Sequence, residues 1–358
     1  MRRHFHRPTT RRLGTALVVG LASAAAVVVP ARASGSAPPP PHVPVPQQGT
    51  GAVQGYATEL GPTGSGMPPG VVNGPCTPST DHPYPVVLVH GTFANENMSW
   101  QTLAPLLSNA GYCVFGLNYG ATSWTTQSHD HTYGMDFVES SAAQLESFIS
   151  GTVLPDTVEP AGNVAGYAAG ANPSQADLVG HSQGGMMPRY LIDTTSDSTY
   201  PGLGHAAQVH TLVGLAPSNH GTDAGGAITI FHQLFGDTVY SFASSSGCGA
   251  CGEQEAGSPF LRALNGQPDA TGVNYYVIES KGDEVVTPYT SAFLPATENV
   301  QNVTLQDQCP TDLTDHLGII YDPVAVQDVM SALANNTGVA AALPQPSCPP
   351  AVAPVLSG

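Results

Sequence analysis

The sequence predicts an α/β fold, a central and mostly parallel sheet with helices on both faces. Three observations carry that expectation. Short apolar runs alternate with longer stretches of helical spacing from about Cys76 to Cys348, the order that gives parallel strands joined by crossover helices. The strand candidates are continuously apolar and rich in β-branched residues, as strands covered on both faces are. Finally, a tight Gly-x-Ser-x-Gly turn, Gly180 to Gly184, joins one such run to a helix start.

Residues 1–33 combine an Arg-rich start, an apolar run from about Leu13 to Val29, and Ala31-Arg32-Ala33. These are the three parts of a secretory signal peptide. A retained membrane span fits less well, because Pro30 ends the apolar run early. Arg11-Arg12 matches a twin-arginine export signal only in part. Residues 34–70 are dominated by Pro and Gly without a period, which reads as a spacer or an extended arm. The folded domain is expected over residues 71–358.

Within it, "YPVVLVH" (84–90) is the first strand, and "WQTLAPLLSNAGY" (100–112) is a helix stopped by Gly111. "CVFGLNY" (113–119) follows as a strand and 137–153 as a helix. "ADLVGH" (176–181) leads through the serine turn into a helix beginning "GGMMPRYLID". Residues 209–217, 273–280 and 300–306 read as three more strands, and 323–335 as a closing amphipathic helix.

Charge excludes one class of partner. Loss of residues 1–33 removes six of the nine cationic residues and leaves Arg189, Arg262 and Lys281 against 26 acids. Such a surface repels phosphate backbones and anionic membranes. An even number of cysteines, six, in an exported chain implies three disulfides, with the pairing open. Cys248-Gly-Ala-Cys251 lacks the second pair that a zinc site needs and the βαβ setting of a redox motif, so it reads as a local loop staple.

Chemistry concentrates at Ser182. Between a buried strand and a helix, Gly-x-Ser-x-Gly becomes a strained turn that lifts the hydroxyl above the sheet. A serine hydroxyl needs a base, and the base needs an orienting acid. In such folds the chain order is Ser, acid, His, each on a loop after a strand. Asp283 lies in "ESKGDEVV" directly after a strand, and Glu284 competes from a less tight position. His316 is the only histidine after Asp283, whereas His205, His210, His220 and His232 precede it. Two N–H groups should hold an oxyanion: that of Gln183, and that of Thr92 or Phe93 in "VHGTF". The Thr92 hydroxyl offers a further donor.

"PVVLVHGTFAN", "GHSQGGMMPRY", "LAPSNHGT", "KGDEVVTPY" and "DHLGIIYDPVAVQDVM" resemble the secreted bacterial lipases and esterases of lipase class 2. The group is similar also to fungal lipase B. The resemblance covers roughly residues 73 to 340 and implies an α/β-hydrolase fold and metal-free carboxylic ester hydrolysis. It implies Ser182 as nucleophile, Asp283 as acid, His316 as base, and Thr92 with Gln183 as oxyanion donors. It also implies the pairs Cys76–Cys113 and Cys309–Cys348, leaving Cys248 with Cys251.

The expected substrate is an ester or lipid, acted on by an extracellular monomer without cofactor, metal, nucleic acid or membrane anchor. A polyester hydrolase or acyltransferase would use the same triad, and a non-catalytic binding protein would have lost part of it. Three features are weaker. "HDH" (129–131) offers two imidazoles but reads as solvent-facing, and "SNHGT" (218–222) as pocket floor or loop. The apolar, aromatic residues 227–242 read as core packing or a cap over an acyl chain.

Overall fold

The computed structural model describes residues 42–45, 66–123, 125, 131–158, 173–222 and 247–349. Residues 1–33, most of the 34–70 arm, His129 and Asp130, and the apolar segment 227–242 lie outside them. The elements run β1 (Val86–Val89), α1 (Leu103–Ala110), β2 (Val114–Leu117), α2 (Val138–Phe148), β3 (Ala176–His181), α3 (Gln183–Ile192) and β4 (Val209–Leu215). They continue with α4 (Gly249–Glu253), α5 (Pro259–Leu264), β5 (Asn274–Glu279), β6 (Val300–Thr304) and α6 (Pro323–Leu333).

The six strands form one all-parallel sheet in the order β2-β1-β3-β4-β5-β6. Alternate strand residues enter two cores, as a side-chain period of two requires. Val87, Val89, Phe115, Leu178 and Val277 meet Val138, Leu145, Met186 and Leu191 of α2 and α3. On the opposite face Val86, Leu88, Val179, Val213 and Ile278 meet Leu103, Leu107, Val324 and Val329 of α1 and α6. Both faces are therefore dry, which is why the strands read as continuous apolar runs.

Each expected strand and helix within the described residues is present; β3 has the expected bounds, α3 begins one residue earlier, and the others are shorter. Gly111 stops α1 at φ 97°, its N–H bonding to Leu107 O, a cap that glycine adopts without a Cβ penalty. The expected helix over 137–153 ends as α-helix at Phe148 and continues as one wider turn, Ile149–Val153. That turn keeps both Ile149 and Val153 in the core. The last strand is shorter than 300–306, since Leu305–Gln308 already turns helical. Disulfides join Cys76 to Cys113, Cys248 to Cys251 and Cys309 to Cys348, the pairs the resemblance implies. A fragment of the Pro-rich arm is tied to α1: Val43 N–H donates to Asn109 Oδ1, and Asn109 Nδ2 donates to Val43 O, each at 2.8 Å.

Candidate active site

The sheet order reverses direction at β1, whose neighbours are β2 and β3. Clefts open at the carboxyl ends of strands at such a switch point, and the loops after β1 and β3 meet there. Ser182 follows β3 with φ 54° and ψ −123°, a conformation that costs a non-glycine residue about 1–3 kcal/mol. The surroundings enforce it. Ser182 N–H donates to Leu215 O at 2.9 Å, and Ser182 O accepts from Gly185 N–H at 2.9 Å. Neither flanking glycine has space for a side chain. A Cβ on Gly180 would lie 1.8 Å from Gly184 O, and one on Gly184 would lie 2.2 Å from Val89 O.

Asp283 follows β5, and His316 sits in the loop between Cys309 and Gly318. His316 Nδ1 lies 2.6 Å from Asp283 Oδ2, with both side chains fully buried. Asp283 Oδ1 accepts from the N–H groups of Val285 and Val286, both at 2.7 Å. With the carboxylate accepting, the imidazole proton sits on Nδ1; His316 Nε2 is buried and makes no hydrogen bond among the described residues. Burial alone would neutralise both groups. Their mutual attraction outweighs it, holding Asp283 below the usual carboxylate range and raising His316 above the usual imidazole value. Ser182 and His316 line one pocket, walled by Phe93, Met98, Val285 and Leu317.

The loop after β1 approaches the start of α3. Phe93, at φ 62°, commits its N–H to Tyr133 O at 2.9 Å, whereas Thr92 N–H has no partner among the described residues. Gln183 N–H opens α3, one of the first-turn donors without an intrahelical acceptor. The Thr92 hydroxyl, expected as a possible extra donor to substrate, instead donates to Gln183 Oε1 at 3.0 Å.

Glu284 makes no hydrogen bond to His316: its Oε1 is buried without a partner among the described residues, and burial raises its pKa. Of "SNHGT", Ser218 and Thr222 line the pocket, and His220 turns to Ser291 O at the surface. Asn219 and Asn265 instead surround the buried guanidinium of Arg189, which pairs with Asp269 at 2.8 Å. Cys251 of the loop staple also lines the pocket. Among the described residues no group of three or more His, Cys, Asp or Glu is arranged to hold a metal ion.

Sequence reasoning missed two contacts. His181 donates from Nε2 to His316 O at 2.8 Å, bracing the loop that carries the imidazole. Burial, reinforced by His316, pushes its own pKa down to about 3, so it stays neutral. Its position next to Ser182 was the only available signal. Gln254 donates to Thr92 Oγ1 at 2.9 Å, and nothing local in the sequence marks it.

Residues 162–328 match the model of the family described as lipase (class 2). Aspergillus fumigatus lipase B shares the fold with a TM-score of 0.50 at 19% identity, over 72% of this chain and 54% of that one. A Bacillus licheniformis lipase in its propeptide form gives a TM-score of 0.47 at 15% identity, over 74% of this chain and 54% of that one. The chain spans about half the length of either structure. No curated protein matches the sequence. Residues 162–328 are thus similar to lipase class 2, and the likeness to Aspergillus fumigatus lipase B shows the fold, a parallel sheet of α/β-hydrolase type with its serine turn at the switch point.

Proposed function

We propose that the chain is a secreted lipase or esterase that works through an acyl-enzyme on Ser182. One observation carries the reading: a strained, pocket-lining serine shares its pocket with a histidine whose Nδ1 is held by Asp283 and whose Nε2 has no partner among the described residues. In this mechanism His316 Nε2 takes the hydroxyl proton as Ser182 Oγ attacks the ester carbonyl. Asp283 fixes the imidazole tautomer and stabilises the imidazolium. The N–H groups of Thr92 and Gln183 hold the oxyanion. The alcohol departs with the proton from His316, and a water activated by the same nitrogen then releases the acid. Apolar walls at Met98, Val285, Leu317 and Ile320 favour esters with an apolar chain. Residues 1–33 serve as the export signal, 34–70 as an arm, and 71–358 as the hydrolase domain.

The test is hydrolysis of nitrophenyl esters of increasing acyl length and of emulsified triglyceride, by wild type and by Ser182→Ala. Ser182→Ala should lose at least about 10³-fold in kcat; full activity would overturn the mechanism. Activity confined to short soluble esters would leave an esterase and remove the lipase. Protein recovered from the culture medium should begin at Ser34 by intact mass; an intact amino terminus there would refute cleavage after Ala33.

A further inference from the structure

Beside Ser182, side chains from three elements meet without reacting in this scheme. Gln254, at the end of α4, donates from Nε2 to Thr92 Oγ1 at 2.9 Å, and Thr92 donates its one hydroxyl proton to Gln183 Oε1 at 3.0 Å. Gln254 is itself held on every polar atom. Its Oε1 accepts from Ser218 Oγ at 2.9 Å, its Nε2 also reaches Ala250 O at 3.1 Å, and its carbonyl accepts from Thr222 N–H at 2.9 Å. Gln254 and Gln183 are both buried, Gln183 completely. The two residues assigned to the oxyanion are thus tied together by their own side chains, with Gln254 anchoring the tie from a third element.

That turn needs an anchor. Phe93 holds a left-handed backbone at φ 62° immediately after Thr92, which a non-glycine residue keeps only where its surroundings fix it. Phe93 and Ala94 are secured by backbone bonds with the 133 region. Among the described residues, Thr92 is tied only through its hydroxyl, to Gln183 and Gln254.

We propose that Gln254 is a positioning residue for ester hydrolysis, its amide locking the Thr92 hydroxyl and so aiming the Thr92 N–H at the developing oxyanion. The inference rests on the acyl-enzyme reading above and adds to it. The oxyanion exists in the transition state and not in bound substrate, so a misaimed donor lowers kcat and leaves KM nearly unchanged.

Two variants test it, assayed on nitrophenyl butyrate well below the Tm of each. Gln254→Met keeps length and bulk but has no donor; its kcat should fall about 10–100-fold with KM within about twofold. Gln254→Glu carries a donor only while protonated. Its kcat relative to wild type should be near normal at low pH and sink to the Met level as the carboxyl ionises, a titration the Met variant lacks. Wild-type kcat in Gln254→Met, whatever its Tm, would assign Gln254 to folding alone and overturn the proposal. So would a Gln254→Glu profile parallel to wild type. An active Ser182→Ala protein would instead overturn the underlying mechanism, so the two failures are separable.

Discussion

A histidine that must take a proton from serine works only while neutral, and the carboxylate that orients His316 also makes it harder to keep neutral. Activity is present above the His316 pKa and lost as pH falls through it. Because that pKa is raised, the acid limb of kcat/KM should lie above about 6.5, the ordinary imidazole value. Asp283→Asn should lower kcat by about 10³–10⁴-fold through the wrong tautomer and shift the limb downward, while Glu284→Gln should stay within about threefold of wild type. A crippled Glu284→Gln beside an active Asp283→Asn would reverse the assignment. That Asp283 meets His316 and that His316 shares a pocket with Ser182 was legible because chain order and position after a strand constrain these residues. His181 and Gln254 were not, since their roles are contacts across 135 and 162 residues of sequence.

At the level of elements, the serine turn is set by backbone packed on backbone. Gly184 lies over the end of β1, so close that a methyl group would overlap the carbonyls of both Val89 and His90. Gly184→Ala should lower the Tm by about 5–10 °C and abolish activity. Gly151→Ala, where a Cβ meets nothing within 4 Å, should leave both unchanged; thermal melts with an ester assay compare them. An unperturbed Gly184→Ala would mean that the strand and helix can separate freely. The strands were readable because burial on both faces leaves no polar positions to interrupt an apolar run. Gly111 announced the end of α1 for a conformational reason. The wide turn at Ile149–Val153 carries no such mark, because its shape is imposed by the core it completes.

Taken whole, the molecule buries many of its acids. Burial raises Glu96 and Asp328 to about 7, Asp193 and Asp322 to about 6, and Glu253 to about 8. Such a carboxyl binds its proton more tightly when folded. Its contribution to stability is complete below the unfolded pKa and is lost as pH rises through the folded one. His90 and His181, lowered to about 4 and about 3 by burial, contribute above the unfolded imidazole pKa and lose that contribution as pH falls. The raised acids outnumber them, so Tm should peak at about pH 4–5 and decline toward pH 8. A Tm that rises steadily from pH 5 to 8 would contradict this. Composition made the excess of acids plain, but which acids are buried depends on packing that composition does not encode.

The Cys309–Cys348 bridge has a topological consequence as well. It closes the chain into a ring that contains His316 and all of α6, and residues 336–339 of that ring are exposed. A peptidase cutting there opens the ring without releasing either arm. The segment bearing the imidazole stays fastened through the backbone on one side of the cut, and the severed tail stays fastened through sulfur on the other. A single nick at that surface therefore costs the molecule continuity of chain, not any of its parts.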